Sequence, residues 1–148
     1  MSQDSTTPDV PTNVIEILRE WIESTSFDEW AQWREQLSAP DGVVVFDNSG
    51  ATGLGPFEGL AAWLAWVKDY WAVWDEHHHY ADEILDLGNG VVFFVLREDG
   101  RMMGSDAHVE NRSAWVSMWV AGLVVRTTVY ADIDKARAAA ERLAQERG

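Results

Sequence analysis

Three side chains on one stretch could move protons or hold charge. His108, Glu110 and Arg112 alternate, so in an extended chain they share one face. If that face is concave, Glu110 and Arg112 can pair and His108 can transfer protons near neutral pH. If it faces water, the same residues make ordinary cross-strand ion pairs that stabilise little. Ser113, Trp115 and Ser117 take the opposite face. A second cluster is His77-His78-His79, in which only His77 and His79 point the same way along a strand. Zinc needs at least one further ligand, for which Asp75 is the nearby option. A solvated helix-to-strand junction is the plainer reading, and neither metal nor cofactor is expected. Ser49 to Gly55 has the look of a phosphate loop but lacks its Lys, so it reads as a loop at a pocket mouth, able to act as a lid.

Nine Trp in 148 residues point to a core lined with large rings, around an apolar cavity. Trp63, Trp71 and Trp74, with Trp115 and Trp119, read as core or dimer interface. Trp66 and Tyr70 leave the main helical stripe and are candidates to meet a ligand. The net charge of -14 repels phosphate backbones and anionic lipid, so neither nucleic acid nor membrane is an expected partner. The absence of Cys excludes disulfides, thiol nucleophiles and thiolate metal sites. Residues 1–11 are polar with two Pro and read as a disordered lead-in, not a secretory signal. No apolar run reaches membrane length, so a cytoplasmic location is expected.

These residues need elements to position them. Val14, Ile17, Leu18, Trp21 and Ile22 recur at helical spacing behind Asn13 as cap. Ser26 to Glu29 is a capping box for a second helix, with Trp30, Trp33 and Leu37 on one face and Pro40 closing it. Val43 to Phe46 is a short strand. Pro56 suits the first turn of a third helix, whose two apolar stripes start at Leu60 and Trp66. Strands Tyr80–Leu87 and Val91–Arg97 flank the hairpin signal Gly88-Asn89-Gly90, and Asp99-Gly100 reads as a second turn. A long strand from Met102 to Trp119 turns at Ala121-Gly122 into Leu123–Tyr130. Asp132 then caps a last helix with Ile133, Ala136, Ala140 and Leu143 inward. The fold class is α+β: a cone-shaped, curved antiparallel sheet packed on three N-terminal helices, with a C-terminal helix, over residues 12–148. Such a sheet leaves a cavity against the helices.

The start of the first helix, the Trp21 region, Phe46-Asp47-Asn48, Pro56-Phe57-Glu58-Gly59-Leu60, Arg101 to Arg112, and Gly122 to Asp132 together resemble SnoaL-like proteins of the nuclear transport factor 2-like class. The resemblance implies a cone-shaped α+β barrel, frequent homodimers, and a family of ketosteroid isomerases, polyketide cyclases, limonene epoxide hydrolases and non-catalytic binding domains. It places Asp47 where the isomerases keep their proton-shuttling carboxylate, although Asp before Asn-Ser-Gly is also turn chemistry. Glu20 or Trp21, and Ala114, stand where the isomerases build their oxyanion hole, and neither pair makes one. Phe46 and Asn48 lie where the epoxide hydrolases hold a Tyr and an Asn. Val129 replaces their last-strand acid, with an Arg97/Glu98 pair near the remaining two.

The resulting expectation is a small hydrophobic molecule bound in the cone. Asp47, His108, Glu110 and Arg112 would do acid–base chemistry, and Trp21, Phe46, Asn48, Trp66, Tyr70, Ala114 and Val129 would contact the ligand. A non-catalytic ligand-binding or dimerisation module is the alternative.

Overall fold

In the computed structural model, residues 8–47 and 54–148 are described. Asn48 and most of the Ser49–Gly55 loop lie outside them, as do residues 1–7 of the expected lead-in. Asp9 is held: its carboxylate accepts from Ala121 N, and its carbonyl accepts from Gly122 N.

The elements are α1 (Val14–Ile22), α2 (Phe27–Leu37), β1 (Ser38–Phe46), β2 (Phe57–Glu58), α3 (Leu60–Ala72), β3 (Trp74–Gly88), β4 (Val91–Met102), β5 (His108–Val120), β6 (Leu123–Tyr130) and α4 (Ile133–Arg147). The capping chemistry read from Ser26 and Asp132 is present: Glu29 N donates to Ser26 Oγ, and Lys135 N donates to Asp132 Oδ1. Asn13 precedes α1 without a side-chain cap bond.

Six strands form one open sheet in the order β2-β1-β6-β5-β4-β3. The β3–β6 meander is antiparallel, as expected, but β1 lies parallel to β6. The sheet is therefore mixed. Pro56 does not open α3; it precedes the short β2, whose Phe57 and Glu58 pair with β1. Gly59 N then bonds the Gly42 carbonyl, and α3 starts after it.

Asp99-Gly100 is not a turn either. β4 runs straight through it, and β3 begins well before the expected Tyr80, at Trp74. A bulge at Trp74/Glu76 presses the Glu76 carbonyl against Gly100, where any Cβ would collide with it. Glycine is required at Gly100 for close backbone approach in a ladder, not for chain reversal.

Both faces of the central strands are covered. Val91, Phe93 and Val95 of β4 and Ala114 and Val116 of β5 pack under α4 through Ala136, Ala140 and Ala144. These alanines recur every four residues, so α4 lies close to the sheet. Val92, Phe94 and Leu96 point the other way, towards α1 and α2. A strand buried on both faces reads as a continuous apolar run, as Val91 to Leu96 does. No described helix is long and apolar enough to cross a membrane.

Candidate functional site in the cone

Between α1–α3 and the concave face of the sheet lies a cavity of about 330 Å³. Seven of the nine Trp line it, all but Trp33 and Trp74. None of the nine is exposed. Of the rings read as core or dimer interface, Trp63, Trp71, Trp115 and Trp119 turn inward, and α3 presents Trp63, Trp66, Tyr70 and Trp71 on one side and Ala61, Ala62, Ala65, Lys68 and Asp69 to solvent. The two apolar stripes read from the sequence merge into one broad cavity-facing band.

Of the expected ligand contacts, Trp21, Phe46, Trp66, Tyr70 and Val129 line the cavity. Ala114 does not: it is fully buried on the opposite face, beneath α4. His108, Glu110 and Arg112 continue the Ala114 face beyond the region α4 covers, so they emerge into solvent. There Arg112 meets Asp82 at 3.3 Å and Glu110 meets Arg97 at 3.9 Å. The concave-face placement considered for these three is thereby corrected. Asn111, Ser113, Trp115, Ser117 and Trp119 are the β5 residues that reach the cavity. Asp47 sits at the end of β1, half-buried, with Lys135 Nζ donating to its Oδ2 at 2.9 Å, and it does not line the cavity.

A polar cluster at the cavity wall centres on Glu98. Tyr70 Oη donates to its Oε1 at 2.7 Å and Asn111 Nδ2 donates to the same oxygen at 3.2 Å. His77 Nε2 lies 2.9 Å and His79 Nε2 3.3 Å from Oε2. Strand register creates this cluster, because His79, Glu98 and Asn111 stand side by side on β3, β4 and β5. An unbroken ladder back from Gly88 and Val91 would put Ala81 opposite Glu98. Irregularities at Asp86/Gly88 and Ala81/Glu83 slide β3 by two residues and bring His79 there.

Burial alone would push the Glu98 carboxyl up, but hydrogen bonds from His77, His79 and Tyr70 outweigh it and hold the group well below the usual carboxylate range. Burial and the adjacent Glu98 push the Tyr70 hydroxyl up, so it remains a proton donor. Burial pushes His77 down despite its bond to Glu98. Glu98 is therefore a fixed anion surrounded by donors.

His77, His79 and Glu98 offer ligand atoms within 4.8 Å of one another, the two-imidazole, one-carboxylate set of a divalent-metal site. The third member comes from β4, not from Asp75, which pairs with Arg101. Their atoms are already engaged with one another, however, and His77 Nδ1 is buried without the acceptor that orients a metal-bound imidazole.

A second charged group reaches the cavity, and sequence reading missed it. Arg34 is 7% exposed and lines the wall. Its guanidinium carbon lies 5.4 Å from the Trp21 ring centroid and 6.0 Å from that of Trp63. Burial lowers its pKa to about 10, which leaves it charged at neutral pH. The available signals were local: Arg34 stands four residues after Trp30 in the apolar stripe of α2, and Glu98 ends the alternation Val92, Phe94, Leu96.

No protein-family model matches the chain, and no curated protein matches it. Solved structures match its fold. A candidate SnoaL-like polyketide cyclase from Jannaschia sp. CCS1 superposes with a TM-score of 0.67, covering 95% of this chain and 96% of its own at 13% identity. A hypothetical protein with a ketosteroid isomerase-like fold from Catenulispora acidiphila DSM 44928, solved with trimethylamine, gives 0.63 over 88% of this chain and 94% of its own at 12% identity. A nuclear transport factor 2-like protein of unknown function from Burkholderia pseudomallei K96243 gives 0.64 over 88% and 98% at 14% identity. Likeness at these identities is one of fold, and function has to be argued from the site. With four helices among the described residues, an open mixed sheet and a cavity between them, the chain has the nuclear transport factor 2-like α+β cone fold shared by SnoaL-like and ketosteroid isomerase-like proteins.

Proposed function

We propose that the protein is an enzyme doing acid–base chemistry on a small, largely apolar molecule bound in the cone. The observation that carries this reading is a buried, ionised Glu98 on a largely apolar cavity wall, in contact with Tyr70, His77, His79 and Asn111. Glu98 is held too acidic to serve as the base. Its part is to orient His79 and to stabilise that ring when it carries a second proton. With Nε2 turned to Glu98, Nδ1 is the His79 nitrogen left for a ligand. Tyr70 supplies a hydroxyl donor, and the stacked Trp63 and Trp66 give the ligand an aromatic wall. Isomerisation, ring closure and epoxide opening all need a proton taken or delivered beside an oxygen, and all are compatible with this set. The role read from the sequence for Asp47, His108, Glu110 and Arg112 passes to His79, Glu98 and Tyr70. Homodimerisation and a cytoplasmic location belong to the same proposal; light scattering tests the first.

The test is a thermal-shift panel of lactones, epoxides, steroids and polyketide-like aromatics. A ligand at a hundred times its Kd stabilises the fold by about 2.7 kcal/mol, or roughly 5–10 °C for a domain of this size. The shift should vanish in Ser113→Leu, which grows a side chain into the cavity. No shift with any compound, or a shift unchanged in Ser113→Leu, counts against the reading. A non-catalytic binding module is the second reading, favoured by the completeness of the Glu98 hydrogen bonds. It predicts binding without turnover.

A further inference from the structure

Arg34 is a buried cation for which no described residue serves as counter-ion. Among the described residues it makes no hydrogen bond and no ion pair, and its Nε is buried without an acceptor. Its contacts are the faces of Trp21 and Trp63. The attraction of desolvated ring faces for a cation is smaller than the cost of taking an ion out of water. The rings alone leave that cost unmet. The imbalance extends to the rings themselves: Trp21 Nε1 and Trp63 Nε1 are also buried donors without acceptors. Arg34, Trp21 and Trp63 all line the cavity, and no described residue gives the guanidinium an acceptor oxygen.

We propose that Arg34 anchors an anionic oxygen group of the ligand, so that the molecule bound in the cone is a flat aromatic or polycyclic monoanion carrying a carboxylate or ionised enol. The proposal rests on the reading of the cavity as a ligand site and adds the substrate class. Trp63 and Tyr70 are two helical turns apart on α3, about 10 Å along its axis. A two- or three-ring ligand anchored at Arg34 therefore reaches the His79–Glu98 end with its far edge. Its rings lie along the aromatic wall that Trp63, Trp66 and Tyr70 form by stacking. The planar fork of Arg matches a carboxylate in two parallel hydrogen bonds. The net charge of -14 does not prevent this. Surface carboxylates are screened beyond about 8–10 Å at moderate salt, while Arg34 acts at contact in a low-dielectric cavity.

The experiment compares 2-naphthoate with its neutral isostere 2-naphthamide, by tryptophan quenching and calorimetry, at neutral pH. Wild type should bind the anion about tenfold or more tightly than the amide, the difference expected of hydrogen bonds to a charged partner. Arg34→Met should abolish that preference while keeping affinity for the amide. Arg34→Lys, which keeps the charge and loses the fork, should retain the preference with weaker binding. Equal affinities in wild type, or a preference that survives in Arg34→Met, overturn the assignment and leave the cavity reading standing. Failure of both probes to bind wild type overturns the cavity reading together with it.

Discussion

The Tyr70 hydroxyl donates to Glu98 Oε1 at 2.7 Å and so ties α3 to β4 across the cavity wall. A hydrogen bond to a buried carboxylate stabilises by about 1.5–3 kcal/mol. Tyr70→Phe should lower the urea-unfolding free energy by that amount without changing the m-value. A loss within experimental error would mean that Asn111 and the two imidazoles hold Glu98 unaided.

Glu98 also sets a pH dependence. Burial works against its charge, but the hydrogen-bond donors win, so its folded pKa lies below its ordinary value of 4.5. The folded state thus favours the ionised form. This contribution is fully present above the unfolded pKa and is lost as pH falls through the folded one. Stability should fall between about pH 5 and pH 3 more steeply in wild type than in Glu98→Gln. Parallel curves would contradict the assignment of Glu98 as a strongly held anion.

Arg34→Met replaces an unpaired buried charge with an apolar chain of similar length. The free protein should become more stable by about 1–3 kcal/mol, read as a higher Tm. A lower Tm would show that the fold depends on the contacts of Arg34 with Trp21 and Trp63.

Gly100→Ala puts a methyl group onto the Glu76 carbonyl, at a position with φ 152°. Overpacking and backbone strain each cost about 1–3 kcal/mol, so a loss of about 2–6 kcal/mol is expected on denaturant unfolding. It should be accompanied by disturbance of His77, which directly follows Glu76. A neutral substitution would show that the bulge at Trp74/Glu76 can shift freely.

Asp47 and His79 divide the sequence-based mechanism from the structural one. Asp47 is paired with Lys135 outside the cavity lining. Asp47→Asn should leave turnover of any identified substrate within about twofold, and His79→Gln should lower it about a hundredfold or more, the usual contribution of a general acid–base group. The reverse pattern would restore Asp47 to the mechanism.

The parts of this fold governed by local rules were legible in the sequence. Helical spacing and the Ser26 and Asp132 caps located α1, α2 and α4, and β6 runs over the expected Leu123–Tyr130. What was not legible depends on register and close approach. Gly100 looks like a turn residue until a neighbouring strand is laid against it. The pairing of His79 with Glu98 depends on two bulges that no local pattern announces. The alternation of His108, Glu110 and Arg112 was sound, but which face α4 would cover, and how far, is a matter of packing. Arg34 was visible as a charge within an apolar stripe. Its lack of a partner could be seen only once the surrounding rings were in place.

The most direct test of the account is α-proton exchange of a bound cyclic ketone, 2-tetralone first, followed by proton NMR in deuterium oxide with wild type and His79→Gln. Wild type should accelerate exchange, and His79→Gln should lose about a hundredfold of the acceleration while still binding the ketone. A ketone that binds in the cavity, stabilises the fold and exchanges no faster than in buffer would contradict the acid–base reading and leave a binding protein.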